Sequence, residues 1–446
     1  MRNQHPPETG RRSGDPASVG VVRRAAAAAA IGNAMEWYDF SVVTLLGAQF
    51  FPFHYNASII LLALGFVMRT PGGIFLGPLG DMIGRKRVLV MTVLMMSGGT
   101  FLIGCLPTFY GRYSFGYGAL VLVILLRMVQ GFSTGGEYVG AATFMAEYAP
   151  ARKRGFYGSF LEVGTLTGYV AGALMVLAIT LGSTPQFFSE WGWRIPFLTA
   201  LLFGLFGLYL RWKLEDTPTF NAAVAASGRL ERPHVRKIIT GHWRMILNLI
   251  GIVMMLNIAD YMLLTTMPRY FKGTLHVGDT ASTLTLVLVE AIMLVTLPFL
   301  GALSDRIGRK PLLITSATGY IVLSYPCFWL MEQRSTAGLI AGFLIMGLLL
   351  ALILAVIAST FPAMFPTRVR YGAFAIGYNL STSIFGGTTS LVITTLIIVT
   401  GNVSIPAFYL ILAGAIGLIP ILIIPETFKV PMDKIEAQRA MSRAVG

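Results

Sequence analysis

The chain has 446 residues, of which 55% are hydrophobic and only 12% charged, about half the charged share of a soluble domain, and its mean hydropathy is +0.70. That composition excludes an ordinary soluble globule. The net charge of +14 would suit a nucleic-acid binder, but the basic residues alternate between connections instead of forming one patch, and no nucleic-acid partner is expected.

Residues 1–24 are rich in Pro, Gly, Ser and Arg and read as a disordered cytoplasmic tail. The apolar run that follows is too long for the h-region of a signal peptide. Twelve apolar runs follow one another at 25–51, 57–79, 88–106, 118–141, 156–181, 194–212, 245–268, 281–303, 311–331, 337–361, 373–396 and 405–424. Each is long enough to cross about 30 Å of hydrocarbon as a helix. The expected organisation is therefore an all-α membrane protein with a six-helix half at 25–212, a cytoplasmic loop at 213–244 and a second six-helix half at 245–424. The tail at 425–446 is too short for a coiled coil of several heptads.

Arg and Lys cluster in alternate connections, as in Arg85/Lys86/Arg87, Arg152/Lys153/Arg154, Arg229/Arg232/Arg236/Lys237, Arg306/Arg309/Lys310 and Arg368/Arg370. By the positive-inside rule both termini and the central loop lie in the cytoplasm of a multi-pass plasma-membrane protein, the bacterial cytoplasmic membrane being the expected one. Anionic lipid headgroups are the expected partners of the basic surplus. Cys105 and Cys327 fall in different halves, so no disulfide framework, metal site or cofactor is indicated. No obligate protein partner, catalytic constellation or enzyme is indicated either.

The halves repeat a motif. Gly77-Pro-Leu-Gly-Asp81-Met-Ile-Gly84-Arg85-Lys86 and Gly301-Ala-Leu-Ser-Asp305-Arg-Ile-Gly308-Arg309-Lys310 keep the same offsets, 305 − 81 = 224 residues apart. Pro150, Arg152 and Arg154 likewise match Pro366, Arg368 and Arg370. Duplicated units of this size are a common construction of secondary transporters. Asp81, Arg85, Lys86, Asp305, Arg309, Lys310, Arg152 and Arg368 are read as gating residues, whose cytoplasmic ion pairs break when the passage opens inward. Plain topological charge is the alternative.

Ionisable groups inside a membrane are costly and mark function. The spans hold Glu36, Asp39, Glu137, Glu162, Asp260 and Glu290, with Arg69 and Arg127. No histidine lies mid-span, so carboxylates must carry any proton. Glu36 and Asp39 stand three apart on one helix face and cannot both ionise cheaply. With Glu137 they are the candidate proton-coupling residues, structural pairing with Arg69 or Arg127 being the alternative. Arg127 begins a polar stripe with Gln130, Thr134 and Glu137 and suits a substrate carboxylate, or else an internal ion pair. Trp37, Tyr38, Tyr138 and Tyr261 offer aromatic faces to an ammonium group. Asp260 and Asn379 complete the candidate substrate contacts.

The Gly-Asp-x-x-Gly-Arg-Lys repeat resembles the signature loop of the major facilitator superfamily. Gly32-Asn-Ala-Met-Glu-Trp-Tyr-Asp-Phe40, Gly131-Phe-Ser-Thr-Gly-Gly-Glu-Tyr138, Trp191-Gly-Trp-Arg-Ile-Pro196 and Phe361-Pro-Ala-Met-Phe-Pro366 resemble its metabolite–proton symporter branch. Tyr261-Met-Leu-Leu-Thr265, Leu208-Tyr-Leu-Arg211 and Glu215-Asp-Thr-Pro218 are most similar to the proline/glycine-betaine osmoprotectant symporters. The resemblance implies twelve helices in two pseudo-symmetric halves, alternating access, and symport of a zwitterion with a proton. It places Glu36, Asp39, Glu137, Glu162, Arg69 and Arg127 on charged positions of the pattern. Asp260 departs from it, standing where an uncharged residue is expected, and the long C-terminal coiled coil of osmosensory members is missing. Two other readings stay open: a di- or tricarboxylate symporter, favoured by more than one cation facing the passage, and an uncoupled sensor or pore.

Overall fold

Backbone N–H and C=O groups in hydrocarbon have no water to bond, so each apolar run closes its hydrogen bonds within itself as a helix. The computed structural model describes residues 19–46, 56–107, 115–227, 234–333, 335–430 and 432. Twelve long helices result: α1 Val19–Leu46, α2 Asn56–Ile83, α3 Arg85–Cys105, α4 Tyr117–Tyr148, α5 Arg154–Gly182 and α6 Ile195–Trp212 in the first half. The second half holds α7 Val235–Thr274, α8 Asp279–Ile307, α9 Lys310–Glu332, α10 Thr336–Leu354, α11 Arg370–Thr400 and α12 Ile405–Ile423. Among the described residues, α3 to α12 each hold a stretch apolar enough to qualify as a span on hydropathy alone.

Boundaries depart from the hydropathy reading where polar residues continue a helix. α1 starts at Val19, inside the expected tail, and the central connection carries a helix at Pro218–Ser227. α7 starts at Val235 and kinks at His242, which separates a basic turn from the apolar stretch. α10 stops at Leu354 and resumes as a short turn at Ile357–Thr360. α7 carries two π-turns, at Met262–Thr266 and Tyr270–Thr274, and α11 one, at Thr382–Gly386, a feature often found at functional sites. Residues 1–18 of the expected N-terminal tail, and most of the expected C-terminal tail, lie outside the described residues.

Small residues let helices touch. A Cβ on Gly135 of α4 would stand 2.3 Å from the Arg69 carbonyl oxygen and 2.5 Å from the Gly73 nitrogen of α2, so only glycine allows this approach. Between the halves, α2 lies along α11 and α5 along α8.

The repeated motif has a physical reason at each position. Gly84 and Gly308 take φ of 104° and 103°, a region costly for residues with a Cβ. The turn that follows presents Arg85 N–H to Asp216 at 3.1 Å, and Lys310 N–H to Glu426 at 2.9 Å. Lys86 donates to the Trp212 carbonyl at the end of α6, and Lys310 to the Leu422 and Ile424 carbonyls at the end of α12. Both lysines thereby cap helix C-termini.

The two aspartates join the halves. Asp81 accepts from the Tyr371 and Gly372 N–H groups at 3.2 and 2.8 Å, at the start of α11. Asp305 accepts from the Gly155 and Phe156 N–H groups, both at 2.8 Å, at the start of α5. A carboxylate at a helix N-terminus satisfies orphan donors and meets the positive end of the dipole. Each half thus caps a helix of the other at the basic end. Each aspartate also pairs with the arginine four residues on, Arg85 or Arg309, at 3.2 Å.

One asymmetry breaks the pattern. Glu147, buried at the end of α4, receives Arg370 at 2.7 Å, Thr217 at 2.5 Å and Arg85 at 3.4 Å. Since 370 − 154 = 216, the position equivalent to Glu147 is 147 + 216 = 363, which is Ala363. Among the described residues Arg309, 0% exposed, has no hydrogen-bond partner at Nε or Nη1, whereas Arg85 lacks one at Nε alone. Burial pulls its pKa below the ordinary arginine range, against the pull of Asp305 and Glu426.

Hydrogen bonds to a charged group contribute about 1.5–3 kcal/mol. Asp81→Asn should therefore move the population toward the form open at the basic end by about ten-fold or more. The reporter is a cysteine replacing buried Ser304 in a background without Cys105 and Cys327, labelled by a water-soluble thiol reagent. Labelling as slow as with the native Asp81 would contradict a closing role for this carboxylate.

Candidate functional site

Between the halves lies a small cavity bounded by α1, α2, α4, α5, α7, α10 and α11. Its ionisable lining is Glu36, Arg69, Glu162 and Asp260. Glu36 is paired with Arg69 through one oxygen, and its Oε2 has no hydrogen-bond partner among the described residues. Tyr138 donates to Glu162 at 2.5 Å. Asp260, only 6% exposed, has a partnerless Oδ1. One arginine therefore faces three carboxylates.

Aromatic rings floor and roof this space. Tyr138 of α4 stacks on Tyr378 of α11 at 4.6 Å between centroids on the side of the basic end. Beside that pair, Tyr371 donates across the halves to the Gly136 carbonyl at 2.6 Å, and Asn379 to the Gly135 carbonyl at 2.8 Å. On the opposite side Tyr261 meets Trp37 at 6.1 Å and Phe66 at 5.2 Å. Tyr169 reaches the Leu264 carbonyl at 3.4 Å beside them. Layers of polar contacts thus close the cavity toward the basic end, and one aromatic layer closes it on the other.

A second small cavity lies wholly within the first half, among α1, α2, α3 and α4. Arg127 is here and not in the passage between the halves. Its Nη1 donates to Asp39 at 2.5 Å and to Gln130 at 2.8 Å. Asp39 also accepts from Gln130 at 2.9 Å and Thr100 at 2.8 Å. Glu36 and Arg69 line both cavities and form the wall between them.

The structure therefore divides the residues singled out in the sequence. Glu36, Trp37, Tyr138, Asp260 and Tyr261 surround the cavity between the halves. Asp39 and Arg127 line the cavity inside the first half. Glu36 and Asp39 share a helix face yet point to different arginines, so neither is the other's close partner. Glu137 pairs with Arg211 and accepts from Thr92, deep between α3, α4 and α6. Tyr38 turns toward α6, its hydroxyl 2.9 Å from both the Pro196 carbonyl and Thr199. Asn379 is spent on tying α11 to α4. Asp81, Arg85, Lys86, Asp305, Arg309 and Lys310 are at the closure of the basic end, with Arg152 and Arg368 exposed on its surface. Sequence reasoning gave no role to Glu147, the hub of that closure, because it lies beyond the end of its apolar run. It offered Arg127 either for a substrate carboxylate or for an internal ion pair, and here Arg127 is paired with Asp39, because hydropathy marks depth and says nothing of which way a side chain points.

Comparison with known proteins agrees with this architecture. The profile of the Sugar (and other) transporter family matches residues 25–232, and that of the Major Facilitator Superfamily matches residues 249–443. The chain is 40% identical over 430 residues to the glycine betaine/proline/ectoine/pipecolic acid transporter OusA of Dickeya dadantii (strain 3937), covering 93% of this chain and 85% of that one. It is equally similar to the proline/betaine transporter of Escherichia coli (strain K12), at 40% over 430 residues with the same coverage. It is 38% identical over 436 residues to the ectoine/proline transporter ProP of Corynebacterium glutamicum, covering 92% and 85%. The fold matches the proton:xylose symporter XylE bound to 6-bromo-6-deoxy-D-glucose with a TM-score of 0.74 at 18% identity, over 95% of this chain and 100% of that one. Twelve helices in two halves that cap one another, and this extent of identity, lead to one assignment: the chain is a membrane transporter of the major facilitator superfamily.

Proposed function

We propose that the protein imports a small zwitterion, such as proline, glycine betaine or a related compatible solute, together with a proton by alternating access. The observation that carries this reading is the cavity between the halves, where the single guanidinium of Arg69 and the uncommitted Oδ1 of Asp260 stand among aromatic faces. A zwitterion needs one cation for its carboxylate and negative potential for its ammonium. A quaternary ammonium donates no hydrogen bond, so aromatic faces and charge attraction must hold it, at about 0.5–2 kcal/mol per ring contact. Trp37, Tyr261, Tyr138 and Tyr378 supply those faces. The relatives' printed substrates belong to the same chemical class.

Coupling follows from the Glu36–Arg69 pair. While Glu36 is ionised it occupies Arg69. A proton on Glu36 releases the guanidinium, and the substrate carboxylate takes the vacated place. Substrate and proton then move together because neither state leaves a buried charge alone. Asp81, Asp305 and their arginines act as the inner gate, with the basic end in the cytoplasm and anionic headgroups against its exposed arginines. A di- or tricarboxylate is disfavoured, since three carboxylates face one arginine.

Uptake of labelled betaine, proline, 2-oxoglutarate and citrate into proteoliposomes, with and without a proton gradient, tests the reading. A zwitterion should accumulate only with the gradient, and the tricarboxylate should not. Asp260→Asn should raise KM for that zwitterion by about ten-fold or more, the loss of a charge-assisted contact. Citrate or 2-oxoglutarate transport without either zwitterion, or an unchanged KM in Asp260→Asn, would overturn it.

A further inference from the structure

The cavity inside the first half has no part in substrate binding as described above, yet it is polar, buried and shares a wall with the substrate cavity. We propose that it is a proton-only inlet, separated from the substrate cavity by the Glu36–Arg69 pair, through which water-borne protons reach Glu36 without entering the substrate route. This inference rests on the proposed symport and adds the path that the proton takes.

Three observations carry it. First, every lining residue comes from α1 to α4, so the space moves with its half as one body and survives the rocking of the halves. The substrate cavity, built from both halves, is made and unmade in each cycle. Second, the lining combines room for water with Asp39, Arg127, Gln130 and Thr134, enough polar partners for a water, which needs two to four. Third, of the two carboxylates in this space, only one has an oxygen to spare. Asp39 accepts from Arg127, Gln130 and Thr100, whereas Glu36 Oε2 is 3% exposed as a residue and has no partner.

The step balances simply. A hydronium in the inlet gives one proton to Glu36 Oε2 and leaves water. The new O–H neutralises Glu36, whose charge no longer holds Arg69, and the guanidinium turns to the substrate's carboxylate on the other side. When the substrate leaves at the basic end, Glu36 gives its proton to water there and regains Arg69. Beyond Arg69, Asp39 and Arg127, the charged or titratable groups around Glu36 are Glu137 and Tyr138 of α4, Glu162 of α5, Asp260 and Tyr261 of α7 and Tyr378 of α11. None of them lines the inlet.

Thr134 of α4 and Met96 of α3 line the inlet but not the substrate cavity, which separates the two routes experimentally. Thr134→Leu and Met96→Phe are made in the full chain and reconstituted with a trapped pH dye. Two rates are read: exchange of labelled for unlabelled betaine or proline at equal pH, and internal acidification driven by inward substrate. The inlet predicts exchange within about two-fold of wild type and acidification slowed ten-fold or more in at least one variant. Normal acidification in both variants would overturn it, and so would loss of exchange in step with acidification in a variant that remains monodisperse. Failure of the native chain to exchange either zwitterion would instead refute the function proposed above.

Discussion

A carboxylate and a guanidinium buried together at mid-membrane constrain everything near them. Glu36 and Arg69 are each costly in hydrocarbon, and stripping either of its partner costs about 3–5 kcal/mol. The pair therefore cannot simply open; it can only exchange partners. In the proposed cycle a proton replaces Arg69 on Glu36, and a substrate carboxylate replaces Glu36 on Arg69. The two cavities are arranged around this exchange, one holding Asp39 and Arg127 in the first half and one holding Asp260 and Glu162 between the halves.

The two ends close by different physics. At the basic end, helix caps from Asp81 and Asp305 and the Glu147 hub form polar contacts that water can replace when the end opens. At the other end the seal is aromatic, with Tyr261 against Trp37 and Phe66. Opening it exposes apolar surface at about 25 cal/mol per Å², unless substrate or lipid replaces the contact. The closure of the basic end is also unequal between the halves, since Arg85 has Glu147 and the equivalent position in the second half is Ala363. Duplication supplied the frame, and divergence at one position left one loop less firmly held.

Much of the fold was legible because hydropathy reports depth and the repeated motif reports duplication. Gly84 and Gly308, Asp81 and Asp305, and Lys86 and Lys310 each recur because a positive φ, a helix N-cap and a helix C-cap recur. Less of the site was legible. Glu36 and Asp39 stand on one face, yet a rotation of about 60° between positions three apart sends one to α2 and the other to α4. Tyr38, between them in sequence, points to α6. Glu137 finds Arg211, 211 − 137 = 74 residues away. Such partners depend on how six helices are turned about their axes, which spacing along one helix does not encode.

The partner exchange itself is open to direct measurement. Purified protein in weakly buffered detergent is mixed with betaine or proline, and proton uptake on binding is followed with a pH dye. The native chain should take up protons as substrate binds, and Glu36→Gln should bind substrate while taking up none. Equal proton uptake by Glu36→Gln would contradict the account, because the proton would then be held elsewhere and the Glu36–Arg69 pair would be scaffolding.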